Sequence, residues 1–520
     1  MTDFKTVYPV SSTLIPLSII NSVGIHQLCP FLEQNPEHCS RHPYLADLAR
    51  VEYHFFLLSQ RSPSPSPDSG QRTINPDLQL LEMSWLNLPE FLENQSISVQ
   101  PGEDRVLIWL HPEKKTVLLR SATGRDLLAL KIVSEGLTSR VVAEEAGLTI
   151  GEVDNIVYNA EAQGLIISPP SGIVRPADFH HGVVKNDELF TTPTFTLQWH
   201  LTQNCDLHCR HCYDRSDRTT MTLDQGLHVL DELYDFCQAH HVFTQISFTG
   251  GNPLLHPDFN TLYREAADRG FLTAILGNPM PEKSITPILE VQELEFYQIS
   301  LEGLEEHNDY IRGKGHFQRA FTFLDLLKEL GVFSMVMLTL TRDNQDQVLE
   351  LAELLRDRVD LFTFNRLSMV GEGAALASAP VKGYRDFLRQ YSEAARDNPC
   401  MRLKDNLFNL LRYQCDEPLL GGCAGRGCGA AFNFVSLLPD GEIHACRKLP
   451  SYLGNLYTSS LDEIYHSTPA QRYRMGSEAC SSCEIRPVCG GCPAVSYGQG
   501  LDIFKDRDPH CFYEKEKSRA

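Results

Sequence analysis

Three cysteines, Cys205, Cys209 and Cys212, stand at the spacing C-x3-C-x2-C within Asn204-Cys205-Asp206-Leu207-His208-Cys209-Arg210-His211-Cys212-Tyr213, directly after the extended run 194–202. Thiolate sulfur is the usual protein ligand of cubane iron, and three thiolates fill three corners of a four-iron cluster. The fourth iron is then left open to a small molecule. Structural zinc needs something different, four ligands that close the site and commonly arrive as two C-x2-C pairs. His208 and His211 read as supporting residues beside the cysteines, because three thiolates suffice.

A second group lies near the C-terminus: Cys423, Cys428, Cys446, Cys480, Cys483, Cys489, Cys492 and Cys511. Eight thiolates can complete two four-iron clusters. Two zinc sites are the competing reading, which the C-x2-C pairs by themselves favour. The chain has 16 cysteines, and the other five, Cys29, Cys39, Cys237, Cys400 and Cys415, read as ordinary thiols, with Cys415 closest to the second group. The start MTDFKTVYPV lacks the charged and apolar segments of a secretion signal. Clustered cysteines without such a signal imply a reducing cytoplasm and metal ligation, not disulfides.

The elements that must position these groups follow from pattern. Strands are expected near 194–202, 244–249, 272–276, 296–301, 333–340 and 361–367, with helices between them, such as 223–240, 317–330 and 344–356. Such alternation implies parallel strands with crossover helices, whose ligands collect at the carboxyl ends of the strands. Two motifs fall at those ends: Phe248-Thr249-Gly250-Gly251-Asn252-Pro253, and Gln298-Ile299-Ser300-Leu301-Glu302-Gly303 followed by HNDYIRG at 307–313. Phe364-Asn365-Arg366-Leu367 closes the sixth strand.

These residues together resemble the radical S-adenosylmethionine (SAM) enzymes. The resemblance implies an open (β/α)6 barrel, with the methionyl amino and carboxylate groups of SAM on the open iron. One electron then cleaves SAM to a hydrogen-abstracting 5'-deoxyadenosyl radical. It also implies cofactor contacts from Tyr213, Gly250, Gly251, Asn252, Pro253, Ser300, Arg312 and Leu367. Asn252 stands where the family's GGEP motif has glutamate; its amide oxygen can still accept a hydrogen bond, without charge assistance. The order and glycine placement of the later cysteines resemble the SPASM domain of peptide maturases. By that resemblance Cys423, Cys428, Cys446 and Cys492 hold one auxiliary cluster, and Cys480, Cys483, Cys489 and Cys511 the other, making three [4Fe-4S] clusters in all. Cys489-Gly490-Gly491-Cys492 departs from the three intervening residues of many members. Arg447, Lys448 and the Asp440-Gly441 turn read as hairpin residues.

Upstream, residues 1–61 carry helical periodicity without a catalytic motif, and 62–76 read as a Pro/Ser linker. Two strands, 105–110 and 116–120, precede three helices near 124–135, 139–146 and 150–163 and a returning wing at 164–167. Thr149 and Glu152 form a capping box. Helix, turn, helix and wing suggest DNA binding, but Glu152, Asp154 and Glu161 make the third helix acidic where a reading helix is basic. The arrangement resembles the PqqD-like element that captures a precursor-peptide leader by adding it to a sheet edge. That edge is expected near Thr116 to Arg120, where proline at Leu118 would remove a donor.

The expected chain is therefore α/β: a partial (β/α)6 barrel at 194–400, an N-terminal winged-helix-like α+β domain at 77–167, a linker at 168–193 and a Cys-rich SPASM domain at 401–520. A formal charge of −21 argues against nucleic acid, and no apolar run is long enough for a membrane helix. The resemblance implies a cytoplasmic enzyme that modifies a ribosomally synthesised peptide by thioether or carbon–carbon crosslinking. Its electrons would come from a reductant such as flavodoxin or ferredoxin. Rival readings are a maturase that oxidises a Ser or Cys of a partner enzyme, and a non-catalytic winged-helix regulator.

Overall fold

Leu45, Leu48, Val51 and Glu52 recur at helical spacing, and they form the buried face of α1 (Leu45–Ser59). The computed structural model describes residues 3–65 and 70–513. The chain divides into two units, Met1–Pro170 and Ser171–Ala520.

In the first unit, β1 (Leu78–Leu86), β2 (Gln100–Leu110) and β3 (Val117–Ser121) form an antiparallel sheet in that order. Residues 106–110 are buried without alternation, the mark of a strand covered on both faces. Val106 and Ile108 face one core, with Leu45, Leu48 and the other helices of residues 4–59. Leu107 and Trp109 face a second core, with α2 (Gly124–Glu135), α3 (Ser139–Ala146) and α4 (Ile150–Ala162). The expected helices and the Thr149–Glu152 capping box are present. The sheet has a third strand, β1, which the sequence reading missed.

Because residues 4–59 share a core with the sheet, the stretch 62–76 separates elements of one unit and not two cores. Ser64 N donates to Asp77 Oδ2 at 2.6 Å, and Thr73–Ile74 pairs with Ile166–Ile167, the expected wing. Residues 66–69 of that stretch lie outside the described residues.

The second unit is built on β4 (Thr194–Thr202), β5 (Phe243–Gly250), β6 (Leu272–Leu276), β7 (Phe296–Ser300), β8 (Ser334–Leu340) and β9 (Leu361–Arg366). These six run parallel in chain order, as a βαβ series dictates. In β4 Phe195, Leu197, Trp199 and Leu201 are buried among outer helices such as α5 (Leu223–Ala239), while Gln198 points into the barrel. The sheet does not stop at six. β10 (Phe434–Leu437) adds parallel to β4, and β11 (Glu442–His444) and β12 (Tyr452–Asn455) continue it antiparallel. Gly441, at φ +85°, turns the first hairpin.

Residues 171–193, expected as linker, are built into this unit. Buried Arg175 donates to the carbonyls of Cys428 (2.8 Å) and Arg474 (3.0 Å), and Val183 N donates to Glu484 O (2.9 Å). At the carboxyl end of β9, Arg366 makes a bidentate pair with Asp508, both contacts 2.7 Å, and reaches Asp405 at 2.8 Å. No helix among the described residues is long and apolar enough to cross a membrane.

Two outcomes follow. Arg366→Gln strands two buried carboxylates and is expected to cost about 3–5 kcal/mol, read by urea unfolding. Glu52 accepts from Val10 N (2.6 Å) and Ser11 N (3.1 Å), yet burial outweighs those bonds and pushes its carboxyl up to about 6. A raised carboxylate favours the protonated fold. Its contribution, about 2 kcal/mol, is complete below pH 4.5 and lost as pH rises through about 6. Urea midpoints at pH 4.5 and 7 should show this loss in the unaltered chain and not in Glu52→Gln.

Candidate functional site

The loop 203–213 leaves β4 and is held against the end of β5 by backbone bonds. Gly251 N donates to Thr202 O at 2.8 Å, and Asn252 N donates to Asn204 O at 2.7 Å. A Cβ on Gly251 would stand 2.2 Å from Asn204 O, and Gly250 has φ +128°. The glycines are thus required by the close approach of the cysteine loop's own backbone, a reason the sequence reading did not supply.

Cys205, Cys209 and Cys212 line one cavity of about 270 Å³ at the carboxyl ends of the strands, together with Tyr213, Gly250, Gly251, Ser300, Arg312 and Leu367. Asn252 and Pro253 are buried and do not line it. Asn252 Nδ2 donates to Asp206 Oδ1 at 3.2 Å, and its Oδ1 has no partner among the described residues.

Arg312 is not free to grip a ligand with its whole fork. Its Nε and Nη2 donate to Glu302 Oε1 at 2.9 and 2.7 Å, and Nη1 lies 3.8 Å from Cys209 Sγ. His211 Nε2 is 3.0 Å from the same Glu302 oxygen, and Thr339 N donates to the other at 2.8 Å. Burial opposes the Glu302 charge, but His211 and Arg312 win and hold its carboxyl far below the usual carboxylate range. The carboxylate thus fixes the residues flanking Cys209 and Cys212. Asn278 Nδ2 approaches Cys205 Sγ at 3.4 Å and donates to Asp206 Oδ1 at 2.6 Å. Glu302 and Asn278 were missed as supporting residues. Glu302 could have been found from its place directly after a strand end.

Tyr213 Oη lies 3.3 Å from His200 Nε2. Burial pushes the Tyr213 hydroxyl up to about 12 and the imidazole of His200 down to about 3, the latter with help from Arg447. Both are neutral at pH 7. Burial also raises the thiols of Cys209 and Cys212, so thiolate there needs a cation to stabilise it, which iron supplies.

The later cysteines fall into two groups. Cys423, Cys428, Cys446 and Cys492 line one cavity of about 280 Å³, and Cys480, Cys483, Cys489 and Cys511 line another. Asp508 joins them: its Oδ2 accepts from Cys492 N (2.8 Å) and its backbone carbonyl from Cys511 N (2.9 Å). Among the described residues the one group of three His, Cys, Asp or Glu donors within 4.8 Å of one another is His240, Asp462 and His466. Arg447 and Lys448 lie in the connection of the β11–β12 hairpin, as expected, and they also line the first cysteine cavity, with Arg447 5.8 Å from the centre of the Tyr213 ring. Their position directly after Cys446 was the available signal.

Residues 199–355 match the radical SAM superfamily, and residues 428–493 match the iron–sulfur cluster-binding domain SPASM. The antilisterial bacteriocin subtilosin biosynthesis protein AlbA of Bacillus subtilis is 26% identical over 325 residues, 59% of this chain and 67% of that protein. An AdoMet-dependent heme synthase of Methanosarcina barkeri is 24% identical over 351 residues, 62% of this chain and 97% of that protein. Streptococcus suis SuiB, solved alone and bound to precursor peptide SuiA, aligns over 85% of this chain and 100% of its own, with TM-score 0.50 and 15% identity. That likeness is one of fold.

Anaerobic reconstitution is expected to load about twelve irons, four per cubane. Gly251→Ala should push the cysteine loop off β5 and lower the iron content to about eight, by the same count. Full iron in that variant would separate cluster loading from the loop's seat on β5.

Proposed function

We propose that this radical SAM enzyme, with auxiliary iron–sulfur clusters in its SPASM domain, modifies a ribosomally synthesised precursor peptide by closing a thioether or carbon–carbon crosslink. Cys205, Cys209 and Cys212 hold the SAM-binding cluster. Cys423, Cys428, Cys446 and Cys492 hold one auxiliary cluster, and Cys480, Cys483, Cys489 and Cys511 the other. A one-electron reductant such as flavodoxin or ferredoxin supplies the electron. SAM on the open iron supplies a hydrogen-abstracting radical. Tyr213 and Leu367 flank the adenine, Ser300 offers a hydroxyl to the ribose, and Gly250 and Gly251 bring the end of β5 to the cofactor's amino end. Arg312, already neutralising Glu302, turns one guanidinium nitrogen toward Cys209 and the cofactor carboxylate.

The observation that carries the peptide reading is the outer edge of β3, which pairs with no further strand among the described residues. β3 ends the order β1-β2-β3, in a unit whose three helices and sheet resemble a PqqD-like recognition element. An extended peptide can add to such an edge by main-chain hydrogen bonds. The heme synthase is matched over nearly its whole length yet covers 62% of this chain, so it has no room for an added unit of this size. The fold shared with SuiB covers 85% of the chain and must therefore extend into residues 1–170. AlbA takes part in making a bacteriocin, and SuiB binds a precursor peptide.

Register places the edge donors at positions other than Leu118. His111 N donates to Thr116 O and Ala122 N to Arg105 O, so the hydrogen-bonded pairs of the ladder include Trp109 with Leu118. Leu118 N–H therefore faces β2, not the edge. The outward donors are those of Val117 and Leu119. Leu119→Pro, or Val117→Pro if the first misfolds, removes one edge donor. Either is expected to weaken leader-dependent processing about fivefold, the value of one hydrogen bond near 1 kcal/mol. Uncoupled release of 5'-deoxyadenosine should persist. The assay compares product yield on a precursor peptide with and without its leader. Processing that ignores both leader and edge would remove the recognition element from the reading.

A further inference from the structure

Apolar side chains do not fill the interior of the barrel. A chamber of about 850 Å³ lies inside it, walled in part by Gln198, Ser247, Gln298 and Thr363. It shares Gln298 and Arg447 with the cavity of Cys205, Cys209 and Cys212. It shares Lys404 and Cys423 with the cavity of Cys428, Cys446 and Cys492. A group held in the chamber would thus lie between the two cysteine sites.

Three cations on the chamber wall have no ion-pair partner among the described residues, Arg402, Lys404 and Arg447, and Lys448 beside them on the two cysteine cavities has none either. Arg447 Nη1 donates to Thr249 Oγ1 at 3.2 Å, Lys404 Nζ donates to Asn365 Oδ1 at 3.4 Å, and Arg402 donates to the carbonyls of Pro399 and Met401. All of these acceptors are neutral. Of the two carboxylates on the chamber wall, Glu417 is already taken by Arg396 and Arg412, and Glu393, with no ion pair among the described residues, offsets one of the three unpaired cations. In a chain of formal charge −21, a wall with this balance runs against the composition. Arg402 is exposed, but Lys404, Arg447 and Lys448 are half-buried, and gathered half-buried cations repel one another until an anion neutralises them. A cluster beside Cys423 and Cys446 draws on Lys448 and Lys404. It does not account for Arg402, which lines the chamber alone, or for Arg447, which faces all three cavities.

We infer that the chamber selects a substrate segment carrying a carboxylate, from an aspartate or glutamate side chain or a chain end, and that Arg447 and Lys404 hold it between the two cysteine sites. This specificity rests on the peptide reading above.

The test uses the full-length, iron-loaded chain with SAM present. The probes are N-acetylated, C-amidated triglutamate and triglutamine, and triglutamine with a free C-terminus, with binding followed by calorimetry. Triglutamate, or the free C-terminus, is expected to bind at least about tenfold tighter than amidated triglutamine, the size of one charge-assisted hydrogen bond. The preference should weaken with salt, vanish in Lys404→Gln/Arg447→Gln, and survive in Arg447→Lys. If the double variant loses iron, Arg402→Gln and Lys404→Gln singly carry the test. Equal binding of all three peptides, or a preference untouched in variants that keep their iron, overturns the proposal. Loss of the preference in a chain that still processes a precursor sinks this inference alone. An intact preference without leader-dependent processing sinks the peptide reading instead.

Discussion

The second unit depends on one buried guanidinium. Arg366 ends the last parallel strand, and its side chain is 1% exposed between Asp405 and Asp508. A charge so placed is tolerable only when geometry and hydrogen bonding are complete, and here both carboxylates meet it at 2.7 to 2.8 Å. Asp508 then uses the oxygen that faces Arg366 to accept from Cys492 N, and its carbonyl to accept from Cys511 N. The barrel end is thereby tied to a cysteine of each C-terminal group. The Arg366 charge, with help from His510, holds the Asp508 carboxyl far below its ordinary value against the cost of burial. The tie persists throughout the physiological pH range.

The same logic recurs at the first cysteine site, where Glu302 is the buried anion and Arg312 and His211 its partners. There the ion pair sets the loop and not the substrate. Cofactor contacts carried by analogy to an arginine must therefore be shared with a carboxylate the protein itself provides. Cations without an ion-pair partner among the described residues lie on the chamber wall, on Lys404, Arg447 and Arg402. Electrostatics thus distinguishes the Glu302 ion pair, which is complete, from the chamber wall, where three cations have no ion-pair partner among the described residues.

In the first unit a strand buried on both faces does the organising. Val106 and Ile108 serve one core, and Leu107 and Trp109 the other. β2 is central, and β3 is left at the edge with its odd-numbered amides turned outward. An edge is costly to leave open unless it has a use, because it invites unintended pairing. Addition of a peptide strand is such a use.

Sequence by itself determined what is local or periodic. The six strands of the barrel, the helices between them, the three helices after β3 and the capping box at Thr149 are legible because hydrophobic period and turn chemistry act over a few residues. The C-x3-C-x2-C spacing announces its chemistry for the same reason. Tertiary structure decided what depends on partners distant in the chain. Residues 4–59 and 171–193 looked separable because nothing near them shows which core they join. β10 lengthens the barrel sheet only because β4 leaves it an edge. Gly251 is required by a carbonyl of the cysteine loop, which only the folded turn brings within reach. The cysteines separate into two groups of four around two cavities because Asp508 and Arg366 bring distant segments together. Spacing cannot encode that sorting, since bonds of this kind depend on distance in space and not on separation along the chain.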